Sequence, residues 1–353
     1  MIKRESFSEE HIRQLQKESR RDPALLERTV YALGLLEAIV RAGMPFIFKG
    51  GTCLMLLLEH PQRLSTDIDI IVEPGTNVED YIEKASVIFP FVKYEEQTRI
   101  GKNQIEKRHF KFTYDSPING KEFYILLDVL FEENNYVKVI QKEIKNNLLL
   151  TEPEYLKVKI PSIECILGDK LTAFAPHTTG IPLNEGKNME VMKQLYDVAT
   201  LLEVFDDFNA VKDTYYNIVL SEIAYRGKDI TPEDCLVDTL EAAKCIVSRG
   251  KCGEEDYPLY VQGIRDLRGH IYAENYSPEI AVGRAAKVAY MAACLLTDNL
   301  YSKVVDYKEY ADRKFTGTGM VMFKYLKKAN PEAYAYMIKV DILMEKLKWE
   351  MRT

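Results

Sequence analysis

The chain has 353 residues, 46% hydrophobic and 29% charged, with a formal net charge of -7 and an isoelectric point of about 5.5. That length implies two folding units, and the composition is that of an ordinary globular protein. The acidic balance excludes an overall positive field that gathers polyanions, so nucleic acid would have to be met by a local basic groove. The six cysteines, at positions 53, 165, 235, 245, 252 and 294, form no CxxC pair and read as reduced thiols of a cytoplasmic protein. The first residues, Met-Ile-Lys-Arg-Glu-Ser, lack the apolar run of a signal peptide, and no stretch of about 18 apolar residues is present to span a bilayer. A cytoplasmic location and no membrane partner are therefore expected.

In chain order, residues 7 to 42 read as helical. Ser8 is placed to cap a first helix. After Pro23, the residues Leu26, Val30, Leu33, Leu36 and Val40 recur at helical spacing, and Gly43 stops the run. A short apolar segment, 45–48, leads into Gly50 and Gly51. Residues 52–59 predict one buried helix, ended by Pro61. Residues 66–72 form the clearest strand, with Asp67 and Asp69 on one face and Ile68 and Ile70 on the other. A helix is expected over 78–89.

Residues 107–114 and 122–131 predict an antiparallel pair of strands, joined by a turn that carries Ser116, Pro117, Asn119 and Gly120. On the second strand Asp128 shares its face with Leu126 and Leu130, while Phe123, Ile125, Leu127, Val129 and Phe131 line the other. After Pro161 the pattern becomes helical, over 162–174, 188–205, 207–224, 234–249, 278–297, 303–311 and 331–347. The expected architecture is α+β: a mixed sheet with flanking helices over residues 1–150, then a mainly helical domain over 151–353 that completes a cleft.

Three sets of residues carry candidate chemistry. Asp67 and Asp69 lie two apart on a strand, roughly 6.6 Å between Cα atoms, with side chains on one side. Two carboxylates so placed repel unless a cation lies between them, and Mg²⁺ binds through one or two carboxylates plus substrate phosphates. With Asp128 they would form a triad able to hold one or two metal ions. The alternative is a solvated pair beside an unrelated third aspartate. Lys49-Gly50-Gly51-Thr52 lets the backbone turn tightly into a helix whose first N–H groups form an anion site, with the Thr52 hydroxyl as a further donor to phosphate and Lys49 as added charge. The alternative is a plain turn capped by Thr52. The order and spacing are not those of a P-loop. Arg63 and Ser65 lie in the connection to the strand, Arg63 as a phosphate or aspartate partner or a surface residue. In the helical half, Lys170 interrupts an apolar stripe of Ile163, Leu167 and Phe174, so it must snorkel outward or meet an anion, for which a nucleotide phosphate in the cleft would serve; the alternative is a lysine at the stripe's edge. Lys193 and Asp197 stand at i and i+4. They form either a surface ion pair or part of a cleft in which Asp197 orients or deprotonates the acceptor hydroxyl.

Together these residues resemble the AbiEii/AbiGii toxin family, nucleotidyltransferases of the polymerase-beta-like superfamily found in abortive-infection and type IV toxin–antitoxin systems. The resemblance rests on Phe48-Lys49-Gly50-Gly51-Thr52 and on Arg63-Leu64-Ser65-Thr66-Asp67-Ile68-Asp69-Ile70. It implies that Gly50, Gly51 and Thr52 bind the nucleotide phosphates and that Asp67 and Asp69 bind metal. Asp128 fits the third carboxylate by strand context. Lys170-Leu171-Thr172-Ala173-Phe174 is similar to the family's lysine helix, with His177 where that helix ends in arginine. Lys193-Gln194-Leu195-Tyr196-Asp197 keeps the aspartate of the last motif but departs at its first two residues. The resemblance implies an NTP co-substrate, Mg²⁺, transfer of a nucleotide to a tRNA 3′ end, a protein or a small molecule, and a cognate antitoxin protein. A non-catalytic nucleotide-binding or interaction protein is the rival reading, and the departures at His177 and Gln194 sustain it.

Overall fold

In the computed structural model, which describes residues 1–97, 106–227 and 229–350, the chain divides into two compact units. One comprises Met1–Ser162 with the returning segment Gly269–Glu274, the other Ile163–Arg268 with Asn275–Thr353.

The first unit opens with helices α1 (Glu9–Ser19) and α2 (Pro23–Ala42). Ser8 accepts from the His11 N–H and Asp22 from the Leu25 N–H, so each helix begins where a short oxygen-bearing side chain satisfies an orphan amide. Strand β1 (Ile47–Lys49) runs directly into α3 (Gly50–Leu57), followed by β2 (Ile68–Val72), α4 (Glu79–Ser86), β3 (Phe91–Gln97), β4 (Lys107–Asp115) and β5 (Glu122–Phe131). The five strands form one mixed sheet in the order β1-β2-β5-β4-β3; β2 and β5 are parallel and the other neighbours antiparallel. A separate ribbon pairs β6 (Val139–Glu143) with β7 (Lys157–Pro161).

The two faces of the sheet differ as the alternation predicts. Ile68, Ile70, Phe110, Phe112, Ile125, Leu127 and Val129 are buried, and α2 packs on that side through Tyr31, whose ring stacks on Tyr114. Glu27 of α2 is buried in the same layer. It accepts from the Tyr114 and Ser116 hydroxyls and the Ile118 N–H, which compensates its desolvation. Asp69, Leu126, Asp128 and Leu130 stay partly exposed on the opposite face.

The second unit is helical: α5 (Ile163–Ala173), α6 (Asn188–Leu201), α7 (Phe208–Arg226), α8 (Pro232–Val247), α9 (Tyr257–Leu267), α10 (Pro278–Leu296), α11 (Leu326–Ala329) and α12 (Pro331–Glu350). Helix α10 is its centre. Buried Ala281, Ala285, Ala289 and Ala292 give it a narrow profile, and both α8 and α12 pack on it.

Several elements differ from the sequence reading. The helix expected at 52–59 starts at Gly50, so both glycines lie in its first turn. The helix expected over 303–311 is only a 3-10 turn, Tyr307–Tyr310, because that segment has no apolar stripe to bury and Val305 is wholly exposed. Helix α9 was missed, although Tyr260, Ile264 and Leu267 bury at i, i+4 and i+7. Strands β3, β6 and β7 were missed because charged residues fill their exposed positions.

Candidate active site

The register of the sheet gathers the candidate residues. Lys49 pairs with Asp69, Asp69 with Asp128, Asp128 with His109, and His109 with Gln97. Registered partners on adjacent strands point the same way. One polar row therefore crosses all five strands on the face opposite α2, and each of its members is partly exposed. Asp67 lies just before β2; it and Ser65 are partly exposed, whereas Thr66 and Ile68 are buried. Arg28 of α2 holds this entry by donating to the Thr66 hydroxyl at 3.1 Å.

The glycine turn meets the row at its second member. Gly50 has φ +79, and a Cβ there would overlap the Asp69 carboxylate. A Cβ on Gly51 would lie 2.5 Å from an Arg63 guanidinium nitrogen and 2.8 Å from the Ser65 hydroxyl. Gly50, Gly51, Arg63, Ser65 and Asp69, spread over twenty positions of sequence, thus converge because two glycines leave space for them. Helix α3 has no side-chain cap at Lys49. Its first amides have no intrahelical partner, and its N-terminus carries roughly half a positive charge beside the carboxylates.

The structure bears on three of these readings. The Thr52 hydroxyl is not available to phosphate: Thr52 is fully buried and donates to the Asp67 carbonyl at 2.6 Å, tying α3 to the start of β2. Arg63 is not a surface arginine. It is 5% exposed and forms an antiparallel bridge with Ile271 of the returning segment, while the Leu64 N–H donates to the His270 carbonyl at 2.7 Å. Asp67, Asp69 and Asp128 are the expected metal triad. Asp69 and Asp128 are direct neighbours, Asp67 stands at the strand entry, and among the described residues no three His, Cys, Asp or Glu side chains are gathered to hold a metal ion.

The donor set nevertheless fits Mg²⁺ in its usual protein mode, one or two carboxylates completed by substrate phosphates and water. Like charges on adjacent strands about 5 Å apart repel by roughly 1–3 kcal/mol at a half-exposed site, which a cation or flanking positive groups must offset. Lys49 stands beside Asp69 in the row and lies 5.8 Å from the Tyr136 ring centroid. On the other side the Asp128 Oδ1 and His109 Nδ1 are 2.6 Å apart.

Sequence reasoning missed His109, Gln97 and Arg28. A signal for His109 was present: a hairpin turn that pairs Asp115 with Glu122 necessarily pairs His109 with Asp128. Two residues further along the strands, Ile47 and Ile71 line a cleft of about 480 Å³ with Phe46, Glu73, Glu132 and Lys159.

In the second unit Lys170 meets its anion within the protein. Its ammonium is 3.1 Å from the Asp197 carboxylate, which is 2% exposed, and it donates to the Gln194 side-chain oxygen at 3.0 Å. Lys193 faces Glu190 at 3.7 Å on its own helix, while Asp197 takes part in a buried pair across two helices. His177 Nε2 is 2.8 Å from the Asp256 carboxylate, and the backbone N–H of His177 donates to the Asp238 carboxylate.

Adjacent carboxylates on two central strands thus lie beside a glycine-started helix that leaves an edge strand. The profile of the family described as nucleotidyl transferase AbiEii toxin, type IV toxin–antitoxin system, matches residues 35–262. The chain belongs to this family. No curated protein is detectably similar to it in sequence. Among solved structures, the chain is similar to the Helicobacter pylori protein JHP933 at 15% identity, over 77% of this chain and 93% of that one, with a TM-score of 0.43. A structure described as a putative nucleotidyltransferase from H. pylori matches at 15% identity, over 77% and 96%, with a TM-score of 0.45. An antigenic nucleotidyltransferase-like protein from Paracoccidioides brasiliensis matches at 15% identity, over 56% and 93%, with a TM-score of 0.35.

Among the described residues, no helix is long and apolar enough to cross a membrane.

Proposed function

We propose that the protein is a metal-dependent nucleotidyltransferase that moves a nucleoside monophosphate from an NTP to an acceptor hydroxyl, on a tRNA 3′ end or a protein, and acts as the toxin of a toxin–antitoxin pair with a cognate antitoxin. The observation that carries the catalytic part is the meeting of the Gly50–Gly51 helix start with Asp69, Arg63 and Ser65 at the end of a row containing Asp128. The first amides of α3 and the Arg63 guanidinium take the triphosphate oxygens, and Ser65 adds a hydroxyl donor. Asp69 and Asp128, with Asp67 at the strand entry, would hold Mg²⁺, which when bound would supply charge neutralisation at the phosphates. The acceptor oxygen bonds to the α-phosphorus, the bond from that phosphorus to the bridging oxygen breaks, and the acceptor proton passes to solvent. Positioning and charge stabilisation supply the rate. The cleft beside Ile47 and Ile71 gives room for the nucleoside.

Lys170 and Asp197, the candidate catalytic residues of the second unit, are held by their own ion pair, and a part in transfer is tested separately by Asp197→Asn. The departure at Gln194 does not remove a polar contact, since Gln194 accepts from Lys170.

The test is incubation with each labelled NTP, Mg²⁺ and total RNA or cell extract. Asp69→Asn and Asp128→Asn should each lower transfer by at least about a hundredfold with unfolding midpoints near the parent's. Transfer at the parent rate in the double variant defeats the assignment. Growth arrest on induction of the parent, and none with the double variant, tests the toxin role.

A further inference from the structure

Asp128 holds the least supported place in the proposed site. It stands on a different strand from Asp67 and Asp69, its side chain is 35% exposed, and it neighbours another carboxylate. Left alone, such a group rotates freely and turns from its like-charged neighbour. One side chain lies within hydrogen-bonding reach of it. His109 is the registered partner of Asp128 on β4, its side chain is only 15% exposed, and its Nδ1 lies 2.6 Å from Oδ1 of Asp128.

We infer that His109 is a positioning residue for the proposed metal site, donating from Nδ1 to one oxygen of Asp128 so that the other oxygen is presented to the cation. The inference rests on the nucleotidyltransferase reading above. A donor at Nδ1 exists in the imidazolium and in one neutral tautomer alike, so the role does not depend on a change of protonation. The chemistry is that of outer partners in metal sites generally: a ligating carboxylate is itself hydrogen-bonded, which fixes its rotation before the ion arrives, and loss of the partner weakens metal binding about 10–100-fold. The neighbours make the arrangement specific. Asp69 lies on one side of Asp128 in the row and His109 on the other, so the hydrogen bond occupies the side away from the second carboxylate. Gln97 follows His109 in the row, on the edge strand.

Binding of Mn²⁺, followed by electron paramagnetic resonance with and without each NTP, reads the site without turnover. His109→Ala should weaken Mn²⁺ binding at least tenfold. His109→Asn, whose amide reaches the Nδ1 position, should stay within about threefold of the parent, whereas His109→Gln, whose amide reaches further, should resemble the alanine variant. The pair Asn and Gln decides the matter even if the alanine variant unfolds. The double variant His109→Ala/Asp128→Ala should bind no more weakly than Asp128→Ala alone, because both remove one unit. Parent-like Mn²⁺ binding by the Ala and Gln variants, or equal loss in Asn and Gln, overturns the positioning role while transfer by the parent leaves the enzyme reading standing. A parent that neither binds Mn²⁺ nor transfers nucleotide overturns both.

Discussion

Gly50 shows how much can depend on a missing methylene. Its φ of +79 is one that L side chains rarely adopt, and the space where a Cβ would sit is taken by the Asp69 carboxylate. Gly50→Ala should therefore destabilise the protein by about 1–3 kcal/mol in urea unfolding and weaken NTP binding measured by calorimetry. Lys170 and Asp197 make the opposite case, since both partners are present and almost dry. Lys170→Ala removes the cation 3.1 Å from a buried carboxylate and should cost about 3–5 kcal/mol. Lys170→Met/Asp197→Leu, which removes both charges, should recover most of that loss in the same unfolding assay. If both variants lose equally, the pair is not the source of the stability.

Among the elements, β2 and β5 matter most, because their parallel pairing sets Asp69 beside Asp128. The hairpin of β4 and β5 follows from its turn, and His109 follows from the hairpin. Strand β3 is held at the sheet edge by charges as well as backbone bonds: Arg108 of β4 pairs with Glu96 of β3 at 2.7 Å and with Glu79 of α4. Hydrogen bonding to Arg108 pulls both carboxyls below their ordinary range. The contribution of a carboxyl lowered in the folded state is present above its unfolded pKa and fades as pH falls through the folded value. Arg108→Ala should thus cost less than about 1 kcal/mol at neutral pH, these groups being exposed, and the difference from the parent should vanish in acid and shrink in strong salt. Denaturation midpoints at neutral and acid pH, with and without salt, measure it.

At the scale of the whole molecule, all six cysteines are thiols, and only Cys252 is partly exposed. Burial pushes the Cys245 and Cys294 thiols up to about 12. Thiols so protonated are poor nucleophiles. A chromogenic disulfide reagent at mildly alkaline pH should label one thiol in the native protein and all six after unfolding; rapid labelling of several native thiols contradicts this packing.

The sequence by itself determined the local frame of the site. Two glycines ahead of the apolar run Cys53-Leu54-Met55-Leu56-Leu57 specify a buried helix begun by a tight turn, and strict alternation sets Asp67 and Asp69 apart from Ile68 and Ile70. Both are written in neighbouring residues. Only the tertiary structure decided which carboxylates are neighbours, that Arg63 is buried, and that Lys170 meets Asp197. Strands β2 and β5 are parallel and joined by no turn, so nothing local sets their register. Arg63 is covered by a segment that returns from some two hundred residues away, and burial of that kind depends on which distant surfaces the chain brings together.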